Sequence, residues 1–347
     1  MTRLNPVRHL TLALAATALT LAGCSESGGD AASNTDSSNA GSGSGERESY
    51  VIGVVAKSQI NPVFKAARVG AEDAAEDLSS KYGIDVQIRW QTPNTEDAQQ
   101  QAQYVEQLVA AGVDGIAISC IDANLLTDVL KDAVERGITV MTFDSDAPDS
   151  GRMAYYGVDD KAAGAEVMKQ LAQVMGGEGT VAVLAGNQAA TNLQNRVAGV
   201  REEAEKYPDI TILDVYYHKE TAAEAAAKML EIQTANTNIT GWALVGGWPL
   251  YTDNALDGIY EHAKVVSLDP LPLPLEYLKK GQVAVLVGQP YYGWGYESVS
   301  YIVEKIHNAK NPPSEYIYAD FDVVTPENVE QFEGQWNQWL GRGDSAP

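Results

Sequence analysis

Two apolar runs in this chain stop in the same way. Residues 138–143, Ile138-Thr139-Val140-Met141-Thr142-Phe143, end at Asp144-Ser145-Asp146, and Val265-Val266-Ser267-Leu268 ends at Asp269-Pro270. Runs of apolar and β-branched residues are the pattern of strands buried on both faces of a parallel sheet. In such sheets the carboxyl ends of the strands border the crevice where ligands bind. A carboxylate there accepts hydrogen bonds and donates none, which suits the hydroxyl groups of a small polar molecule. Four other places carry comparable chemistry. Asn61, Pro62 and Phe64 bring an amide, a helix start and an aromatic ring together. Arg196 offers a planar fork of donors within Asn195-Arg196-Val197-Ala198-Gly199. Trp248 follows a strand directly in Gly246-Gly247-Trp248-Pro249, and Gln289 precedes Pro290.

Catalytic and metal-binding patterns are absent. No Gly-x-Gly-x-x-Gly follows the first strand, and there is no Gly-Lys-Ser/Thr phosphate loop and no Gly-x-Ser-x-Gly elbow. His9, His218, His262 and His307 are scattered without ligand spacing. Asp144-Ser145-Asp146 begins like a calcium loop, but Pro148 and the missing twelfth-position Glu break it. Asp144 and Asp269 could serve as a glycosidase carboxylate pair, yet nothing around them in the sequence gives either a raised pKa. The chain is therefore read as a binder without catalytic residue, metal or cofactor.

The elements that must position these residues are regular. From Tyr50 onward, short apolar strands alternate with helices of 10–20 residues, which implies parallel sheets. Asn61-Pro62 is expected to open the first helix, Asn as cap and Pro at the first helical position. Thr95 is expected to start the second, with Glu96 and Asp97 in its first turn. A further helix is expected near 252–262. Two such series imply an α/β protein of two doubly wound lobes.

Composition bounds the setting. The 347 residues suffice for two cores, and a net charge of −23 argues against nucleic acid. Arg3 and Arg8 precede the apolar run 10–21, which ends in Leu21-Ala22-Gly23-Cys24, the layout of a secretory signal. Residues 24–49 are mostly Ser, Gly, Asn, Asp and Glu, expected as a flexible tether. Cys120 is the other cysteine; it is expected as a small buried hydrophobe, and no disulfide framework follows.

Leu21-Ala22-Gly23-Cys24 resembles the lipobox of bacterial lipoproteins, in which Cys24 would carry the lipid after removal of 1–23. From about Tyr50 to Val324 the chain resembles the periplasmic sugar-binding proteins of the ribose-binding type, relatives of lac-repressor-like ligand domains. The resemblance is carried by Ile52-Gly53-Val54-Val55, Asn61-Pro62-Val63-Phe64, Val113-Asp114-Gly115-Ile116, the run to Asp144, Asn195-Arg196-Val197-Ala198-Gly199, Val265 to Asp269, and Gly288-Gln289-Pro290. It implies an N-terminal lobe from 50–157 and 290–318 and a C-terminal lobe from 158–289 and 319–340. It implies a sugar between them, contacted by Asn61, Phe64, Asp144, Arg196, Asp269 and Gln289, with Ser145 and Trp248 added from their positions. The lobes would close about a hinge, as such proteins do, and a monomer anchored in the cell envelope would deliver sugar to the membrane permease of an ABC transporter. A sensor or chemoreceptor is the alternative partner. Val63, Ser145 and Gly247 depart from the ribose pattern, each smaller than the family residue. They imply a recut pocket for another neutral sugar, a hexose, deoxy sugar or polyol, with Trp248 swinging into the space.

Overall fold

The computed structural model describes residues 49–343. Cys24, the signal segment 1–23 and the tether up to residue 48 lie outside the described residues.

The chain runs β1 (Ser49–Val55), α1 (Val63–Tyr82), β2 (Asp85–Trp90), α2 (Ala98–Ala110), β3 (Gly115–Ile118), α3 (Ala123–Glu135), β4 (Thr139–Phe143) and β5 (Ala154–Gly157). It continues as α4 (Asp160–Met175), β6 (Glu178–Ala185), α5 (Thr191–Ala204), β7 (Asp209–Tyr217), α6 (Ala222–Ala235), β8 (Gly241–Leu244), β9 (Lys264–Leu268), α7 (Pro272–Lys279) and β10 (Val285–Gly288). It closes with α8 (Tyr291–Asn308), β11 (Tyr316–Tyr318), β12 (Asp322–Val324) and α9 (Val329–Gly343).

These strands form two sheets of the same design. The first has the order β11-β5-β4-β3-β1-β2, the second β12-β10-β9-β8-β6-β7. All pairings are parallel except β10 with β12. The expected α/β class and two-lobe architecture are what the chain adopts. The central strands β3, β5, β8 and β10 are buried at every position, which is why they read as unbroken apolar runs. The edge strand β2 alternates buried and exposed positions along much of its length.

The matched strand orders put equivalent loops opposite one another. Asp144 follows β4 and Asp269 follows β9, the same place in each lobe. Glu96 follows β2 and Glu220 follows β7, again equivalent places. The chain passes between the sheets three times, at residues 158–159, 289–290 and 319–321. α9 rests on α1 of the first lobe and α7 of the second, and its Trp336 indole donates to the Pro270 carbonyl at 2.8 Å.

Close helix packing fixes the sheets' faces. A Cβ on Gly199 of α5 would lie 1.9 Å from the Lys161 carbonyl oxygen of α4, and one on Gly164 of α4 2.0 Å from that of Arg196. Only glycine permits this approach, and it sets where Arg196 leaves its helix. Gly70 of α1 and Gly295 of α8 repeat the device in the first lobe.

Three local expectations are corrected. The first helix starts at Val63 after Pro62, and the Asn61 side chain accepts only a long bond from Val63 N–H, at 3.3 Å. α2 begins at Ala98, capped by the Asp97 carboxylate on Gln100 N–H, so Glu96 is left outside the helix. Residues 252–262 form turns, because Asn254 and Gly258 adopt left-handed conformations (φ 58° and 76°) that end helical runs.

Candidate functional site

Both strand-end aspartates are held in an uncommon backbone conformation. Asp144 has φ 57° and Asp269 φ 71°, the left-handed region that short polar residues tolerate better than branched or bulky ones. Each is nearly buried, 6% and 4% exposed, so the turn after the strand tips a carboxylate into the space between lobes. Left-handed non-glycine residues cost free energy and cluster where function needs the geometry.

Asp269 is saturated by its own lobe and the crossing segment. One carboxylate oxygen accepts from Gln289 Nε2 (2.8 Å) and the Tyr291 hydroxyl (3.0 Å), the other from Gly247 N–H (2.9 Å) and the Tyr251 hydroxyl (3.0 Å). Burial and the Asp269 charge push both tyrosines well above their ordinary pKa, so they remain donors. Asp144 accepts from Ser119 Oγ at 2.7 Å within its lobe and from Asn192 Nδ2 at 3.1 Å across the cleft. Burial raises its pKa, against the opposing pull of Lys57 and Arg196. The expectation that neither aspartate has cause for a raised pKa therefore fails for Asp144.

Arg196 knits the site. Its Nε donates to Asp160 Oδ1 (2.7 Å), one terminal nitrogen to the Val245 carbonyl (3.2 Å) and the other to Gln289 Oε1 (2.6 Å). That last nitrogen also stands 3.7 Å from Asp144 Oδ1 of the opposite lobe. Burial opposes its charge, but Asp160, Asp144 and Asp269 outweigh burial and hold the guanidinium above its ordinary value. Asp160 itself is raised by burial to about 6, with Arg196 pulling the other way.

A second charged group enters from the loop after β1. Lys57, 3% exposed, lies 3.1 Å from Glu96 Oε1 and 3.2 Å from Glu220 Oε2. Glu220 belongs to the other lobe and also accepts from Asn187 N–H at 3.1 Å.

Asn61, Phe64, Asp144, Arg196, Trp248, Asp269 and Gln289 line one cavity, joined by Lys57, Val63, Asn192, Leu193, Glu220 and Trp294. Its volume is about 20 Å³, where a single water needs roughly 10–15 Å³. Outside it a groove of about 920 Å³ opens between the lobes, with Glu96, Asp122, Asn187, His218 and Glu220 among its walls. The indole N–H groups of Trp248 and Trp294 are buried without a protein acceptor. No group of His, Cys, Asp and Glu among the described residues is arranged to hold a metal ion.

Residues 52–310 match the family model described as periplasmic binding protein domain. The chain belongs to that family. This periplasmic binding protein is 30% identical over 128 residues to the xylitol-binding protein of Mycolicibacterium smegmatis, covering 37% of this chain and 36% of that one. It is 24% identical over 192 residues to the D-apiose import binding protein of Actinobacillus succinogenes, covering 55% and 60%. The chain thus spans from about a third to three-fifths of these curated relatives. The ABC transporter solute-binding protein of Burkholderia graminis, solved with D-arabinose, superposes with a TM-score of 0.75 at 27% identity, covering 82% of this chain and 97% of that one. The resemblance to the ribose-binding type holds at the level of family and fold.

Within this periplasmic binding protein several side chains are not placed as the sequence suggested. Ser145 is buried but is not among the cavity walls; its carbonyl accepts from Cys120 N–H and its hydroxyl has no partner. Trp248 packs against Ala190, Leu193 and Ala225 with His218 edge-on at 5.2 Å, and forms one wall of the cavity. Gly247 does not enlarge the cavity, because a Cβ there would lie 2.9 Å from the Tyr251 hydroxyl, which already fills that side. Beside Val63, the second aromatic surface comes from Trp294, 5.9 Å from Phe64.

Lys57, Glu96, Asn192, Glu220 and Trp294 were not legible as site residues. Only the position of Lys57 just after the first strand, the loop that also carries Asn61, hinted at it. The four donors on Asp269 predict that Asp269→Ala destabilises the fold by about 3 kcal/mol or more, since buried donors lose their acceptor. Urea unfolding checks this; a loss under about 1 kcal/mol, a typical net hydrogen bond, would mean the network does not hold the second lobe.

Proposed function

We propose that this protein captures a small neutral sugar or polyol between its lobes and hands it to the membrane permease of an ABC transporter. The observation that carries the reading is the pair of strand-end carboxylates, Asp144 and Asp269, facing one cavity from equivalent places in two lobes. Around them stand an amide, Asn61, and two charged donors, Lys57 and Arg196. Phe64, Trp248 and Trp294 supply apolar faces for the C–H side of a sugar ring. The unpartnered indole N–H groups add donors for ring or hydroxyl oxygens.

The charge balance supports neutrality of the ligand. Lys57 and Arg196 meet Asp144, Asp269 and Glu220 in the cavity wall, so an added anion finds no surplus of positive charge. Relatives named for xylitol and D-apiose, and a similar structure solved with D-arabinose, support the chemical class. A cavity of about 20 Å³ takes no sugar while Asn192 bonds to Asp144. Capture on this reading is a hinge motion: the lobes part, the ligand's hydroxyls replace the direct lobe-to-lobe bond, and the lobes close. Hydrogen bonds to charged groups contribute roughly 1.5–3 kcal/mol each, and a few of them with one stacked ring reach the roughly 8 kcal/mol of micromolar binding. The protein acts as a monomer, held to the cell envelope by a lipid on Cys24.

A thermal-shift and calorimetric panel of pentoses, hexoses and polyols tests the binding. We expect at least one neutral member to bind at about micromolar Kd, and Asp144→Ala to abolish that binding with the fold intact. Preference for a sugar phosphate or a uronate, or unchanged affinity in the variant, would overturn the assignment. For the anchor, Cys24→Ala should move the protein from the membrane fraction to the soluble one; retention in the membrane would refute lipidation at Cys24.

A further inference from the structure

Lys57, Glu96 and Glu220 make none of the hydrogen bonds that hold Asp144, Asp269 and Arg196, yet they bring three ionisable groups together at the cleft, Lys57 and Glu220 buried and Glu96 half-buried. Lys57 and Glu96 come from the first lobe and Glu220 from the second. The Lys57 ammonium reaches both Glu220 oxygens, at 3.3 and 3.2 Å, and Glu96 Oε1 at 3.1 Å. The Lys57 and Glu220 side chains are only 3% and 2% exposed. They close the inner cavity, while Glu96 and Glu220 face the outer groove. We propose that Lys57 and Glu220 latch the two lobes together over the ligand cavity, and that Glu96 decides when the latch holds.

With the lobes apart, Lys57 retains Glu96 from its own lobe, in contact with water. Closure brings a second carboxylate, Glu220, to the same ammonium, withdraws that pair from water and covers most of Glu96. One cation then faces two anions in a buried place, with the Asp144 charge also close enough to act on Lys57. A proton on Glu96 removes the excess charge and leaves a neutral set: the Lys57–Glu220 ion pair beside a protonated Glu96.

The titration properties agree with this geometry. Burial raises the Glu96 pKa from 4.5 to about 8, with Glu220 adding to the rise and Lys57 opposing it. Burial acts on Glu220 too, but Lys57, Glu96 and Asn187 N–H together bring it below its ordinary value. Lys57 is held above its ordinary value despite burial, by Glu220, Glu96 and Asp144. The remaining titratable groups facing this cluster are Asp122 at the start of α3, His218 and Lys219 after β7, and Glu224 of α6. Burial lowers the His218 pKa, with the Lys219 carbonyl, Glu220 and Glu224 pulling the other way.

The sign follows from Glu96. Its pKa is higher with the lobes closed than with them open, so closure takes up a proton. Closure is therefore fully favoured below the ordinary value near 4.5 and is lost as pH rises through about 8. The latch is made by the chain's own atoms, so it can be read without sugar. It rests on the reading of this cleft as one that opens and closes, and a chain that binds no sugar would still show it.

Small-angle X-ray scattering of the purified protein, without sugar, at about pH 6 and about pH 9 tests the latch on both sides of the closed-state titration. We expect the wild-type radius of gyration to be larger at the higher pH. Glu96→Gln, which keeps the neutral side chain at every pH, should hold the compact value at both. Lys57→Met should be expanded at both. A wild-type radius that does not change with pH, or a Glu96→Gln radius that changes as the wild type does, overturns the proposal. Should Lys57→Met fail to fold by circular dichroism, Glu96→Gln decides alone.

Discussion

The buried guanidinium of Arg196 is the interaction on which the rest of the site depends. It lies on a helix of the second lobe and holds Asp160 beside the first crossing and Gln289 at the second. It also faces Asp144 of the first lobe. Gln289 in turn donates to Asp269, so one side chain links the two crossings to both strand-end carboxylates. A buried charge of this kind is stable only with its partners in place, and removing one leaves an uncompensated ion. That makes the arrangement discrete: the groups fit together in one way. The place of Arg196 is set by backbone, through the glycine contacts of α4 and α5, and so does not depend on flexible packing.

Duplication explains why so few residues suffice. The same strand order in each sheet puts a carboxylate at the end of β4 and another at the end of β9. Both backbones turn through the left-handed region to point the side chain inward. A ligand between them meets an acceptor at Asp144 and aromatic walls from Phe64, Trp248 and Trp294, while Asp269, saturated by its four donors, holds the facing wall in place. The direct bond from Asn192 to Asp144 and the ion pair of Lys57 with Glu220 show that the lobes also recognise each other. On the binding reading, ligand and lobe-to-lobe contacts compete for one set of groups, which gives capture and closure a common physical origin.

Much of this was legible in the sequence. The apolar runs ending in Asp144 and Asp269 are strands buried at almost every position, and their short length, β-branched residues and flanking turn residues carry that information. Arg196 and Gln289 were visible through their motif positions. What was not legible depends on pairing across the lobes. Glu96 reads as a helix-dipole partner until the cap shifts to Asp97, and only then is it free to meet Lys57. Glu220 is one of many acidic residues, and nothing local marks it as the partner of a lysine 163 positions away. Counting side chains at Val63 and Gly247 suggested a larger pocket. Trp294, far from Val63 in sequence, and Tyr251, brought back over Gly247 by the turn at 248–251, occupy the flanks of those two positions. Volume in a closed cleft is a tertiary property, and local substitutions do not report it.

Binding of a small neutral sugar or polyol between Asp144 and Asp269 is read from a crystal structure of the protein grown with its tightest-binding sugar or polyol. We expect the molecule enclosed between the lobes, with its hydroxyls on Asp144 and Arg196 and its C–H face on an aromatic wall. A molecule lying in the outer groove beside Asp122 and His218, with Asn192 still bonded to Asp144, would contradict it.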